Sequence, residues 1–244
     1  MPLGYLVALV ALGLVAGSFG ALVGLGGGVI LVPVLSLMGL PLHTAVGAGL
    51  VCVIATSTAA AGVYVERGWA DVRLGSLLEL GTVLGAISGA LVVTLLPDRV
   101  LQGAFGVFLL YAAAVLWRHP PAPAEEITEA PPDYRARNYP LGVGVSYVAG
   151  SVSGLLGIGG GPIQVPLMYL RMGVPLKVAT ATSNFIMGVT AAAGAFLYYA
   201  RGQVVVALAA PLVLGVFAGA LLGSRLARRV HSRIVQLLLI LVLL

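Results

Sequence analysis

Eight apolar stretches, with only short polar segments between them, cover nearly the whole chain. They lie at 3–39, 42–65, 74–96, 100–117, 141–170, 176–200, 203–224 and 234–244. A helix crosses a bilayer core with about 20 apolar residues, and it satisfies its own backbone hydrogen bonds there. With 60% hydrophobic and 9% charged residues, the chain has too little polar surface for a soluble globule of this size. The sequence therefore predicts an all-α polytopic membrane protein surrounded by lipid.

The chain also repeats itself at an offset near 133 residues. "GSFGALVGLGGGVILVP" at 17–33 aligns with "GSVSGLLGIGGGPIQVP" at 150–166. We therefore divide the chain into a first transmembrane repeat, 1–117, a polar linker, 118–140, and a second transmembrane repeat, 141–244, which form one membrane domain. Internal duplication is a recurring plan of secondary transporters, whose substrate site lies where the repeats meet near the midplane.

The glycine triplets decide how the two halves are oriented. If each triplet breaks a helix pair that dips in and returns, each half has an odd number of segments and the repeats are inverted. If the stretch that contains the triplet is instead one unbroken crossing, each half has four helices and the repeats are parallel. The segment after the first triplet, 29–39, would rise only about 16 Å as a helix, which is too short to span a core of about 30 Å.

The distribution of basic residues favours the inverted arrangement. If the repeats are inverted, eleven of the 13 Lys and Arg lie on the linker side of the membrane, and Arg99 and Arg201 lie on the other side. If the repeats are parallel, six lie on one side and seven on the other. Because basic residues concentrate on the cytoplasmic side, we predict inverted repeats with a cytoplasmic linker, in the inner (cytoplasmic) membrane.

The triplets also predict an anion site. Unwound backbone at membrane depth is tolerated where it is buried or lines a polar cavity, and glycine lets a ligand approach closely. The helix that restarts after each triplet offers free N–H groups and a positive dipole end. Inverted repeats would direct both helix starts at one central point near the midplane. The candidate substrate-binding glycines are Gly26, Gly27, Gly28, Gly159, Gly160 and Gly161. The alternative is close helix packing, which fits the spacing of Gly13, Gly17, Gly20 and Gly24.

Polar side chains near the triplets complete the candidate site. Hydroxyl and amide groups can donate to oxyanion oxygens and cost less to bury than a charge, although they also serve as helix-to-helix hydrogen bonds. Glu79, about one turn into the third stretch, is a candidate proton-coupling group, and its place near the end of the stretch also suits a solvated residue. The candidate substrate-binding side chains are Thr56, Ser57, Gln164, Thr182, Ser183 and Asn184.

"GLLGIGGGPIQVPLMYLRMGVPLKVATATSNF" at 154–185 resembles the sulfite exporter TauE/SafE family, also called the toluene-sulfonate uptake permeases. The resemblance covers both halves of the chain. The first half departs from the motif at Gly49, where the second half has Ser183. The resemblance implies a permease for small sulfur-containing or organic anions such as sulfite, sulfonates or sulfoacetate. The motif falls on Gly157, Gly159, Gly160, Gly161, Pro166, Pro175, Ala179 and Ser183, and in the first half on Gly24, Gly26, Gly27, Gly28, Pro33, Pro41 and Ala45.

Two alternatives to a carrier stay open. The same broken helices could line an anion channel. An intramembrane hydrolase built on Ser151 would need a histidine at membrane depth, and we expect His43, His119 and His231 in loops. We expect no enzyme, cofactor, metal site or nucleic-acid partner. The expected ligand is a small anion. Coupling of its transport to protons and assembly into a homo-oligomer are further open alternatives.

Overall fold

The computed structural model describes residues 3–118 and 134–226, and every regular element in these two segments is helical. The predicted linker between 119 and 133 and the last apolar stretch, 234–244, lie outside the described residues. A single 3₁₀ turn, Val93–Leu95, follows the fourth helix. The helices are α1 (Leu3–Val23), α2 (Gly28–Leu37), α3 (Leu42–Glu66), α4 (Val72–Val92), α5 (Asp98–Arg118), α6 (Tyr139–Leu156), α7 (Gly161–Arg171), α8 (Leu176–Ala200) and α9 (Val206–Leu226).

Each glycine triplet separates two helices, as the sequence predicts. α1 ends and α2 begins around the first triplet, and α6 and α7 are divided in the same way by the second. Gly24 and Gly157, at equivalent positions, have φ values of 74° and 73°, a left-handed backbone that residues with a Cβ rarely adopt. The helices that restart, α2 and α7, have 10 and 11 residues, so each rises only about 15–17 Å.

Six helices of the described part are long and apolar enough to cross a membrane: α1, α3, α4, α6, α8 and α9. Their outer faces carry large apolar side chains, such as Leu84, Phe196 and Leu214, which are 62%, 70% and 69% exposed. Lipid tails are the solvent that such faces require. The chain is therefore a multi-pass membrane protein. His43 is not in a loop as predicted, because α3 begins directly after Pro41 and includes it.

Closely spaced glycines pack α1 against α9. A methyl group added at Gly13 or Gly17 would overlap the backbone of Leu212 or Val216. These two glycines therefore serve helix packing, as small residues do between membrane helices. Gly20 lies against the first glycine break. Gly24 is part of that break, and it also packs against Thr180 of α8.

The register of these contacts fixes the directions of the helices. Val10, Leu14 and Ser18 of α1 lie beside Gly215, Gly219 and Gly223 of α9, in that order, so α1 and α9 run parallel. Tyr147 and Ser151 of α6 lie beside Gly85 and Gly89 of α4 in the same parallel order. Each repeat therefore contributes one helix to the other: α9 of the second repeat packs with α1, and α4 of the first repeat packs with α6. We call α1, α2, α3 and α9 bundle A, and α4, α6, α7 and α8 bundle B.

Bundles A and B meet along α3 and α8, which are equivalent helices of the two repeats. Ser57 lies beside Gly188, and Leu50, two turns earlier on α3, lies beside Gly194. The residue numbers thus run in opposite directions, and α3 and α8 are antiparallel. Tyr198, Met187 and Leu50 are fully buried at or near this contact. The two glycine breaks lie at this interface between the bundles.

Candidate functional site

The two glycine breaks touch each other at mid-length of α3 and α8. A methyl group added at Gly28 would overlap the carbonyl oxygen of Gly157, and one added at Gly161 would overlap that of Gly24. Gly26 and Gly159 both face Val53 and Met187, the twelfth residues of the 25-residue helices α3 and α8. All six predicted glycines are buried. Equivalent contacts thus recur in both halves and bring the starts of α2 and α7 together.

Two equivalent tyrosines support the helix ends that precede the breaks. The Tyr64 hydroxyl donates to the carbonyl oxygen of Ala21 at 3.1 Å, and the Tyr198 hydroxyl donates to that of Gly154 at 3.1 Å. Each bond satisfies a carbonyl near a helix C-terminus, where no intrahelical donor follows. The sequence analysis missed this pair. Its only signal was a tyrosine at the same place in both repeats.

Three of the predicted polar side chains bond to the backbone around the breaks, and a fourth, Ser57, bonds to the backbone of α8. The backbone N–H of Gly27 donates to the Thr56 hydroxyl at 3.5 Å, so Thr56 covers one free donor at the start of α2. Ser183 donates to the carbonyl oxygen of Gly24 at 3.2 Å. The Asn184 side-chain amide nitrogen donates to the carbonyl oxygens of Thr180 at 3.0 Å and Ala21 at 3.4 Å. The backbone carbonyl oxygen of Asn184 accepts from the Ser57 hydroxyl.

Thr182 lies apart from these groups, near the loop between α3 and α4. Its hydroxyl accepts from the backbone N–H of Asp71 at 2.9 Å. The Asp71 carboxylate caps α4 by accepting from Leu74 at 2.9 Å, and it also accepts from the Tyr134 hydroxyl at 2.5 Å. Burial and this bond to Asp71 raise the pKa of Tyr134 above its usual range. Tyr134, near the end of the linker, is therefore attached to the start of α4 in bundle B.

Gln164 differs from the other predicted side chains. It lies in the first turn of α7, is 1% exposed, and neither its amide nitrogen nor its amide oxygen has a hydrogen-bond partner. Glu79 is half-buried on α4, and one of its carboxyl oxygens is buried without a partner. A buried polar atom that lacks a partner costs about 1–3 kcal/mol, so each such group calls for an explanation.

Two serines that the sequence analysis did not select share this property. Ser146 and Ser153 of α6 are fully buried, and neither hydroxyl has a partner. They are seven residues apart, so they occupy one face of the helix. The aligned repeats could have pointed to these two serines, because the first half has glycine, Gly13 and Gly20, at the equivalent positions.

Ser153 also gives a reason why the two breaks differ in shape. Gly27 is helical with φ −56°, whereas its equivalent, Gly160, is left-handed with φ 72°. In the first half, a methyl group at Gly20 would lie 2.5 Å from the backbone nitrogen of Gly27. The second half has Ser153 in place of Gly20, so its break cannot follow the same path.

Comparison with known proteins assigns this arrangement to a family. Residues 9–244 match the family described as Sulfite exporter TauE/SafE. The chain belongs to the TauE/SafE family. A curated relative in Bacillus subtilis, "Probable membrane transporter protein YunE", is 31% identical over 260 residues, which cover 97% of this chain and 94% of the relative. No solved structure matches the chain.

Other relatives of this TauE/SafE protein carry similar names. "Probable membrane transporter protein MJ0441" of Methanocaldococcus jannaschii is 25% identical, with 95% of this chain and 90% of the relative covered. "Sulfite exporter TauE/SafE family protein 3" of Arabidopsis thaliana is 36% identical over 102 residues, which cover 40% of this chain and 21% of the relative. Family and relatives together identify a membrane transporter.

Proposed function

We propose that this protein is a secondary transporter that carries small sulfur-containing or organic anions, such as sulfite or sulfonates, across the cytoplasmic membrane. The observation that carries the proposal is the meeting of two glycine-broken helices at the contact between two bundles. Helix starts that point into the protein interior attract anions through free N–H groups and the helix dipole. The name of the matching family supports sulfite or a chemically similar oxyanion as the substrate.

The two-bundle arrangement suits a carrier. Each bundle is held together by glycine-lined helix pairs, whereas the bundles meet along α3, α8 and the breaks. In transporters with internal repeats, one bundle rocks against the other around a fixed site. We infer that such rocking exposes the breaks alternately to the two sides of the membrane. Glu79, half-buried on α4, is our candidate for the group that couples this motion to protons.

Proteoliposomes that contain the purified protein should take up sulfite, thiosulfate, sulfoacetate or aryl sulfonates, with saturation and stimulation by an inward proton gradient. Glu79→Gln should abolish the stimulation, because an amide cannot exchange protons at that place. Carboxylates and neutral sugars serve as comparison solutes. Saturable uptake of a neutral solute that sulfonates do not inhibit would refute the proposal, and anion flux that never saturates would indicate a channel.

We further propose that the repeats are inverted, with the linker in the cytoplasm. The antiparallel contact of α3 with α8 supports this, because equivalent helices that both span must then enter from opposite sides. Glu66 and Ala200 are the exposed last residues of these helices. In a Cys52→Ala background, a membrane-impermeant maleimide should label Glu66→Cys only from the cytoplasmic side and Ala200→Cys only from outside. Labelling of both from one side would mean that the repeats are parallel.

A further inference from the structure

The interiors of the two bundles differ in polarity although the repeats are equivalent. Among the described residues, bundle A has three buried polar side chains, Thr56, Ser57 and Ser224. Bundle B has eight, with the half-buried Glu79 in addition, and all of their bundle A equivalents except Thr56 are apolar. The bundle B residues, each with its bundle A equivalent, are Ser146 (Gly13), Ser153 (Gly20), Gln164 (Leu31), Thr182 (Ala48), Ser183 (Gly49), Asn184 (Leu50), Thr190 (Thr56), Glu79 (Val213) and Thr82 (Val216).

Several of these polar groups in bundle B lack partners. The hydroxyls of Ser146 and Ser153 and both amide atoms of Gln164 are buried and form no hydrogen bond. One oxygen each of Asn184 and Glu79 is in the same state. A helix bundle that only needed to pack would be more stable with the apolar residues of bundle A at these places, because each orphaned buried group costs free energy. The unpaired groups indicate a ligand.

The contacts place these groups around one region of bundle B. Ser146 lies beside Gly81, where a methyl group would be 3.4 Å from the serine Cβ. One turn further along α6, Gly150 packs on the backbone of Thr82, whose hydroxyl bonds to that of Thr190 at 2.8 Å.

The same face of α6 reaches the second glycine break. Ala149 lies against Gly160, because a methyl group added at Gly160 would be 3.2 Å from the carbonyl oxygen of Ala149. The backbone N–H of Gln164 donates to Gly160 at 3.1 Å, so the Gln164 side chain projects from the turn that follows this contact. Ser153 is one turn beyond Ala149 on the same face of α6.

We propose that the transported anion binds inside bundle B, on the Ser146 and Ser153 hydroxyls and the Gln164 amide at the start of α7, and that bundle A is the scaffold. The inference rests on the proposed anion transport and names the side chains that perform it. The Ser153 hydroxyl and the Gln164 amide beside a helix N-terminus match a compact oxyanion such as the sulfite ion or the sulfonate head of sulfoacetate. Ser146 lies two turns, about 10 Å, from Ser153 along α6, so it would serve the other end of a longer anion such as sulfoacetate. The start of α2 is a weaker site, because Thr56 already covers its Gly27 donor.

Binding of sulfite and sulfoacetate to the detergent-purified protein, measured by calorimetry, tests this assignment. Gln164→Leu and Ser153→Ala should each raise the Kd about tenfold or more, because each removes a hydrogen bond to a charged ligand. In the ligand-free protein the same variants should unfold at an equal or higher temperature than the wild type, since an orphaned buried group has been removed. A side chain with a purely structural role would instead lower the unfolding temperature.

The controls lie at matched places in the chain. Leu31→Met changes the bundle A equivalent of Gln164, and Ser151→Ala removes a hydroxyl on α6 that bonds only to its own helix at Tyr147. Both should bind sulfite and sulfoacetate as the wild type does. Wild-type affinity in Gln164→Leu and Ser153→Ala would overturn the assignment to bundle B and leave anion transport intact. A wild-type protein that neither binds nor transports any tested anion would overturn both proposals.

Discussion

Gly161→Ala and Gly28→Ala should each destabilise the protein by about 1–3 kcal/mol and abolish anion uptake. The added methyl group would overlap a carbonyl oxygen of the opposite break, Gly24 for Gly161 and Gly157 for Gly28. Backbone atoms on both sides leave little room for adjustment. The remaining neighbours are also close, since the methyl group at Gly161 would lie 3.0 Å from both Leu25 Cα and Met187 Sδ. Thermal unfolding in detergent and uptake by proteoliposomes, normalised to folded protein, measure the two effects.

Two other glycines provide the comparison. Gly27 lies in the same triplet, but its backbone is helical and the nearest atom to an added methyl group is 3.3 Å away, so Gly27→Ala should unfold near the wild-type temperature. Gly62 of α3 has open space around it, and Gly62→Ala should retain both stability and uptake. Wild-type stability and uptake in Gly161→Ala would show that the contact between the breaks is not required.

The places where the helices break could be predicted from the sequence. Three consecutive glycines leave too few apolar residues on their far side to span a membrane, and this holds for both repeats. The exchange of helices between the repeats could not be predicted. Gly13 and Gly17 allow any helix to approach one face of α1 closely, and nothing in their spacing specifies α9 as the partner.

The candidate site was predictable in its types of residue and less so in their separate roles. Thr56 and Ser183 are near the breaks as expected, but their hydrogen bonds go to the backbone of Gly27 and Gly24. Only the structure distinguishes such satisfied groups from Gln164, whose partners are absent. Ser146 and Ser153 were overlooked because single serines are common in membrane helices, where they usually bond to their own backbone.

A disulfide between α3 and α8 should stop transport reversibly. A Cβ atom at Gly188 would lie 3.2 Å from the Ser57 Cβ, close to the separation of about 3.5–4.5 Å that disulfides adopt. In a Cys52→Ala background, Ser57→Cys with Gly188→Cys would therefore join bundles A and B at their contact. If the bundles must rock against each other, the oxidised protein should take up no more anion than empty liposomes, and dithiothreitol should restore uptake.

The choice of substrate and controls makes this result specific. Sulfoacetate replaces sulfite in the assay, because sulfite is a nucleophile that itself attacks disulfide sulfur. Each single cysteine variant, treated with the same oxidant, should transport at one rate before and after reduction. Ser57 donates to the backbone of Asn184, so the reduced double variant also reports what the loss of that bond costs. Full uptake by the cross-linked protein would mean that α3 and α8 stay fixed during transport, and the substrate would then have to pass through bundle B alone.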